Sequence, residues 1–191
     1  MTCVCKFSAG SQIVGLPDGL RPRFLSGLPK DKFNSVLSLA KHRQFRASSV
    51  IINQEDPAER LFLLTSGQGR HFVITSEGRK ILLHWLTPGQ IFGGASILST
   101  PFQYLASTEV VADSCALVWE RQTIRQITSS CPALLDNALS IAVTENIAWD
   151  IAAHISLSAG LLAKRRGGIL LRRPELLLAP RLENSRTPVL R

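Results

Sequence analysis

Apolar residues between Phe45 and Trp119 occur in short runs that end at turn-forming residues. The run at 50–52 stops before a polar stretch at 55–57, and the run at 61–64 ends close to two glycines. Residues 76–79 lie between two further runs and are typical of a hairpin turn. Many short strands with frequent turns predict a β-sandwich or a closed barrel, which leaves no exposed sheet edges.

Other segments have helical spacing. A short amphipathic helix is predicted from Lys30 to Ala40, and a second is predicted from Arg121 to Ile127. Pro132 then occupies a position that favours the first turn of a helix. Beyond it, an apolar stripe continues for about six turns at ~3.6 residues per turn.

This stripe consists of Leu134, Ala138, Ile141, Ala148, Ala152 and Ile155. A narrow stripe of small and branched residues is typical of a helix that pairs with a second helix. The six residues are therefore the predicted dimerisation residues of a homodimer. Packing of the same stripe on the chain's own barrel is the alternative.

Composition divides the chain into four predicted parts. Residues 1–23 are a flexible leader rich in Gly, Pro and Ser, residues 24–130 form the barrel, and residues 131–158 form the dimerisation helix. Residues 159–191 contain eight Lys or Arg and two Glu, and glycines and a proline interrupt any helix there. This tail carries most of the net charge of +8, so we expect weak, sequence-indifferent electrostatic binding to DNA.

Several classes of protein are disfavoured by the composition. A hydrophobic content of 45% is enough to bury a core, so the chain as a whole is not disordered. No run of 18 apolar residues and no signal peptide is recognisable, which predicts a cytoplasmic protein with no membrane partner. Four cysteines do not make a disulfide scaffold in a chain of this length.

No metal site, cofactor or enzymatic activity is predicted. The four histidines are His42, His71, His84 and His154. They lack the closely spaced pair of the metal-binding cupins, although His71 and His84 are expected to face each other across a hairpin. The cysteines Cys3, Cys5, Cys115 and Cys131 do not have the spacing of an iron–sulfur site.

Three stretches, in order, resemble the Crp/Fnr transcription regulators and their cyclic-nucleotide-binding domain. They are residues 62–70 (FLLTSGQGR), 86–93 (LTPGQIFG) and 112–119 (ADSCALVW). The resemblance extends from about residue 24 to residue 157. It implies a mainly β fold with some α structure: a double-stranded β-helix (jelly-roll) barrel followed by a long dimerisation helix.

The resemblance also implies a ligand site between Phe92-Gly93 and a later short motif. In members that bind cyclic AMP, a Glu follows this glycine and an Arg-Ser/Thr-Ala triplet holds the phosphate. Here Gly94 takes the place of the Glu, and the triplet reads Tyr104-Leu105-Ala106. A buried phosphate without a cation costs several kcal/mol, so high-affinity cyclic AMP binding is not expected.

The candidate ligand-binding residues are Phe92, Gly93, Gly94, Ala95, Ser96, Tyr104, Leu105, Ala106, Trp149 and Asp150. Tyr104 and Trp149 either line a pocket for a planar or apolar small-molecule effector or fill the former site as core. The two interpretations are equally compatible with the residues.

The resemblance implies the effector-sensing and dimerisation part of a Crp/Fnr-type regulator. Family members place a helix-turn-helix after the long helix, and residues 159–191 show no such pattern. We therefore expect either a naturally truncated sensor or a tail from a shifted reading frame. The alternative function is a ligand-free dimerisation module that lacks specific DNA binding.

Overall fold

The computed structural model describes residues 16–146. Within them, short strands alternate with turns and three α-helices flank the strands. The strands are β1 (Lys41–Phe45), β2 (Val50–Ile52), β3 (Arg60–Ser66), β4 (Gly69–Ile74), β5 (Lys80–Leu86), β6 (Ile91–Phe92), β7 (Ser107–Val110) and β8 (Ser114–Glu120). The helices are α1 (Lys30–Ser38), α2 (Arg121–Ser130) and α3 (Pro132–Ile141), with 3-10 turns at Arg23–Leu25 and Gly94–Ile97.

The strands form two four-stranded antiparallel sheets. One sheet has the order β1-β8-β3-β6 and the other has the order β2-β7-β4-β5. Chain neighbours such as β1 and β2, or β7 and β8, therefore lie in different sheets, as they do in a jelly roll. The predicted fold class, a mainly β jelly-roll barrel with some α structure, is confirmed. Of the long dimerisation helix predicted for residues 131–158, the structure describes only the part up to residue 146.

Two buried apolar clusters hold the helices and the two sheets together. The first lies under the helices and contains Phe24, Trp119 and Leu134, each fully buried. The Trp119 indole N–H donates to the carbonyl of Val36 in α1 at 2.9 Å, which ties β8 to that helix. The second cluster lies between the sheets and includes Phe62, Phe92 and Tyr104.

Most of the predicted elements are found with shifted ends. Helix α1 begins at Lys30 as predicted, and Pro132 occupies the first turn of α3. Strands β7 and β8 follow each other closely along the chain but lie in different sheets. The side chain of Asp113 accepts from the N–H of Ala47 at 2.9 Å between them, which stabilises the crossing.

Helix α3 presents two apolar faces. On the inner face, Leu134 is fully buried and Ala138 and Ile141 pack against the first cluster. On the outer face, the side chains of Leu135 and Leu139 remain 48% and 61% exposed. Three of the predicted dimerisation residues, Leu134, Ala138 and Ile141, therefore pack on the chain's own barrel. This agrees with the alternative that the sequence left open.

A five-residue π turn, Ala142–Asn146, follows α3. The predicted dimerisation residues Ala148, Ala152 and Ile155 lie outside the described residues, as do most of the predicted leader and the whole basic tail. The described end of the leader is not separate from the barrel, because Leu16 packs against the first cluster.

Among residues 16–146, no helix combines the length and the apolar character that crossing a membrane requires.

Replacing Trp119 with Phe should destabilise the fold by about 1–3 kcal/mol, because it removes the hydrogen bond to Val36 and leaves a small cavity. Urea unfolding monitored by circular dichroism measures this change. The matched control is Trp85→Phe, since the Trp85 side chain in β5 is 43% exposed. An equal loss of stability in both variants would contradict the role assigned to Trp119.

Candidate ligand-binding site

The backbone turns sharply where β6 ends. Gly93 has a φ of 78°, in the left-handed region that disfavours other residues. A Cβ atom at this position would lie 2.6 Å from the carbonyl oxygen of Arg60, so a side chain is excluded by contact as well as by conformation. A glycine is therefore needed at residue 93 of the Phe92-Gly93 motif, because the backbone of Arg60 passes too close for a side chain.

The loop after Gly93 is short, and hydrogen bonds from Ser96 and Arg121 hold it in place. Gly94–Ile97 form a 3-10 turn in which the Ser96 hydroxyl donates to the carbonyl of Gly93 at 2.8 Å. The Arg121 guanidinium, at the start of α2, donates to the carbonyls of Ser96 at 2.9 Å and Ser99 at 3.2 Å. The loop therefore has one defined path, and that path is tied to the helical layer.

Gly94 differs from its neighbour because it has ordinary backbone angles. No atom lies within 4 Å of a Cβ built at this position. A side chain could therefore extend from residue 94 without a steric clash.

Tyr104 is a buried residue, with 9% of its surface exposed. Its hydroxyl accepts from the backbone N–H of Arg60 and donates to the carbonyl of the same residue, both at 2.9 Å. Burial raises the pKa of this phenol above its usual value, so it stays protonated and able to donate. The ring lies beside Gly93, since a Cβ there would be 3.3 Å from the Tyr104 Cε1 atom.

Aromatic rings fill the space next to Tyr104. The rings of Phe62 and Phe92 stack at 4.8 Å between centroids, with 6° between their planes. His71 meets the ring of Phe92 edge-on at 6.2 Å. Phe62, Phe92 and Tyr104 all belong to the buried cluster between the sheets.

The other predicted site residues have different surroundings. Ala95 packs against the cluster between the sheets, Leu105 is 73% exposed, and Ala106 is half-buried. Trp149 and Asp150 lie outside the described residues. Arg60 and Arg121 belong to the site but were missed, because the first acts through its main chain and the second follows a strand with no motif around it.

The expected meeting of His71 and His84 across a hairpin is confirmed, since the two are direct partners in the β4–β5 pairing. In the part of the chain that the structure describes, no group of three His, Cys, Asp or Glu side chains is placed to hold a metal ion. The described cysteines, Cys115 and Cys131, are both buried.

One groove of about 450 Å³ lies elsewhere, beside the N-terminal segment. Leu20, Leu25 and Phe33 contribute to its lining, and none of the candidate site residues does.

Residues 42–131 match the family model of the cyclic nucleotide-binding domain. This segment is similar to that domain family. The match includes every candidate site residue that the structure describes, from Phe92 to Ala106. The comparison with curated protein sequences gives no match.

Solved structures show the same fold. The catabolite activator protein of Thermus thermophilus is 24% identical with a TM-score of 0.59, and the match covers 74% of this chain and 63% of that one. The N-terminal domain of a transcriptional regulator from Streptomyces coelicolor A3(2) is 16% identical with a TM-score of 0.55, covering 66% of this chain and 89% of that one. This chain thus spans less than two thirds of the Thermus protein.

A third similar structure is the regulatory subunit of a cAMP-independent protein kinase A from Trypanosoma brucei. It is 15% identical with a TM-score of 0.56, and the match covers 62% of this chain and 42% of that one. A variant of the same protein with three substitutions, one of which introduces an arginine, is described as bound to cAMP in its A site.

Replacing Tyr104 with Phe should lower the free energy of unfolding by about 1–3 kcal/mol, because the N–H of Arg60 then loses its acceptor. Chemical denaturation measures the change, and Phe102→Leu serves as a control because the Phe102 side chain is half-exposed. Unchanged stability of the Tyr104 variant would mean that the hydroxyl does not bridge Arg60 in solution.

Proposed function

We propose that this chain is the effector-sensing and dimerisation part of a cytoplasmic, non-enzymatic transcription regulator of the Crp/Fnr type. The observation that carries the proposal is the loop at Phe92–Ser96, whose path is held by Gly93 and Arg121 while the charged groups of a cyclic AMP site are absent. A loop that keeps its path but lacks the Glu and Arg of a cyclic AMP site supports a domain that has kept its fold and changed its ligand.

The effector of this site is not cyclic AMP at useful affinity. Position 94 offers no carboxylate for a ribose, and position 104 offers a neutral phenol where a guanidinium would balance a phosphate. The guanidinium of the nearby Arg121 donates to the carbonyls of Ser96 and Ser99 instead. The cAMP-independent kinase subunit is a similar fold for which the same distinction is described.

The site should gain cyclic AMP binding when its charges are restored. We expect Gly94→Glu, Tyr104→Arg and Leu105→Ser together to bind at least tenfold more tightly than the unmodified chain, or about 1.4 kcal/mol. The space beside Gly94 accommodates the new carboxylate, and Leu105 is already exposed. Isothermal titration calorimetry makes the comparison.

The matched control carries Gln in place of Arg at position 104, so that the polar volume is kept and the cation is removed. Binding by this control as tight as by the arginine variant would show that phosphate recognition does not occur at this loop. Micromolar binding by the unmodified chain would contradict our interpretation of Gly94 and Tyr104.

The dimer interface that we propose uses the outer face of α3. Leu135, Leu139 and Val143 are 48%, 61% and 51% exposed and follow one another at four-residue steps. Leu135 and Leu139 lie on one face of α3, and Val143 follows them in the π turn, so we infer that the three side chains form one apolar strip. A second copy of the chain would cover the strip, and Ala148, Ala152 and Ile155 remain predicted members of the same interface.

Replacing Leu139 with Asp should convert dimers to monomers at micromolar concentration, because a carboxylate would be buried at the interface. The fold should remain intact, since this position is outside the core. Sedimentation velocity gives the assembly state, and Leu39→Asp, at an exposed position after α1, is the control. A wild-type chain that is already monomeric would refute the interface.

The second candidate function is a ligand-free dimerisation module. The buried ring of Tyr104, packed with Phe62 and Phe92, favours it because the space beside the loop is occupied by the protein itself. A rise in melting temperature with nucleotides or planar apolar compounds would separate the two, since only a sensor is stabilised by ligand. Weak, non-specific DNA binding by residues 159–191 stays a prediction under either function.

A further inference from the structure

The register of the β2-β7-β4-β5 sheet determines which side chains face away from the barrel interior. The ring of His71 in β4 meets Phe92 of the other sheet and therefore points inward. Successive side chains of a strand point to opposite faces, so Arg70 and Phe72, on either side of His71, point outward. This outer face of the sheet is thus turned away from the candidate ligand site.

Apolar side chains on this outer face are exposed. Residues directly opposite each other in an antiparallel pair share a face, which extends the outward set from β4 to the neighbouring strands. Its apolar members on β2, β4 and β5 are each about half-exposed: Val50, Ile74, Leu82 and Trp85. A single exposed leucine is common, but a tryptophan with three aliphatic side chains on one face is typical of an interaction surface. We call these four residues, with Arg70 and Lys80, the outer-face patch.

The charges of the outer-face patch are arranged with the cations outermost. The Nε atom of Arg70 donates to the Glu109 carboxylate at 2.8 Å, and Lys80 pairs with the same carboxylate. The Lys80 ammonium also lies 3.7 Å from the centroid of the Phe72 ring. The side chains of Lys80 and Arg70 are 41% and 34% exposed, whereas that of Glu109 is 13% exposed. A partner would therefore meet two cations at the surface, with one carboxylate beneath them.

We propose that the outer-face patch docks an amphipathic helix of another protein, and that this helix carries carboxylates. Trp85 and Leu82 bury against the apolar stripe of the helix, and Arg70 and Lys80 pair with its carboxylates. Tryptophan and arginine are enriched among the side chains that dominate the binding energy of interfaces. Because Glu109 already orders both cations, docking costs little additional side-chain entropy.

Charge disfavours the other protein occupants of this patch. A second copy that docked through the same surface would place Arg70 and Lys80 opposite identical cations, which repel them. The basic tail of the chain, residues 159–191, contains eight Lys or Arg and two Glu, so it carries the wrong charge as well. A partner rich in carboxylates is the one that complements the patch.

Geometry favours a helix over a strand or a membrane. A strand would add to the edge of β5 through main-chain hydrogen bonds, whereas the exposed side chains project from the face of the sheet. Sheet faces are commonly covered by helices. Recognition of an anionic membrane typically uses a cluster of about four to eight basic residues, which is more than the two cations of this patch.

Peptide titration on the full chain tests the docking surface. The probe is a synthetic helix of about 18 residues, long enough for about five turns, with a leucine stripe flanked by glutamates. Its matched control has lysines in place of the glutamates. We expect the glutamate peptide to bind at least about tenfold more tightly in calorimetry and to shift the NMR signal of the Trp85 indole N–H. Equal affinities for the two peptides would overturn the proposal.

Variants separate the outer-face patch from the basic tail, which all of them retain. Trp85→Ser should weaken binding of the glutamate peptide by about tenfold, and Lys80→Gln, at a half-exposed position, should weaken it by about threefold. Leu39→Ser changes an exposed leucine after α1 and should leave the affinity unchanged. If Lys80→Gln and Trp85→Ser bind the peptide as tightly as the Leu39 variant does, the patch is not the docking surface.

Two further measurements on Trp85→Ser distinguish the other occupants. We expect its sedimentation coefficient to match that of the unmodified chain, and its binding to vesicles of phosphatidylglycerol and phosphatidylcholine to be unchanged. A shift from dimer to monomer would assign the patch to a second copy of the chain, and a loss of vesicle binding would assign it to a membrane. Either result would overturn the proposal of a helical partner.

Discussion

The main chain at Glu59 and Arg60 is the point on which the arrangement around the loop depends. The carbonyl of Arg60 leaves no room for a side chain at residue 93, and the hydroxyl of Tyr104 bonds to both polar groups of the same residue. One residue earlier, the carbonyl of Glu59 accepts from the N–H of Arg121 at 2.7 Å. Because peptide groups are rigid, a shift of β3 here would move the loop, the segment at 104 and the first turn of α2 together.

This junction explains how the barrel remains stable without the charges of a nucleotide site. A buried cation that binds a phosphate destabilises the fold when the phosphate is absent, because its charge is then uncompensated. In this chain the neutral phenol of Tyr104 satisfies two backbone groups and adds its ring to the core. The interior gains apolar contact, and the strong ion pairs, such as that of Arg70 with Glu109, are formed outside it.

The positions of elements could be predicted from local signals, whereas the surroundings of side chains could not. Lys30 and Pro132 mark helix starts because propensity and proline geometry act within one turn. Burial of Leu134 rather than Leu135 is decided by Phe24 and Trp119, which are distant in sequence and supply the core that α3 meets.

The stripe counted along the dimerisation helix illustrates the same limit. Steps of three and four residues keep to one face only while the helix is regular. The π turn Ala142–Asn146 follows α3, so the regular three- and four-residue spacing of the described helix ends at Ile141. Likewise, the filled state of the space at Tyr104 depends on Phe62, which sits more than forty residues earlier, and no local pattern contains that information.

The two adjacent glycines of the loop, Gly93 and Gly94, differ in how readily they can be substituted during evolution. Gly93 determines the path of the chain and tolerates no replacement, whereas Gly94 faces open space with ordinary backbone angles. Descendants of such a domain can therefore acquire acidic, basic or aromatic groups at residue 94 one codon at a time, with the scaffold unchanged. A domain with this pair of positions is suited to diversification of its ligands, because the residue that shapes the loop is not the residue that sets its chemistry.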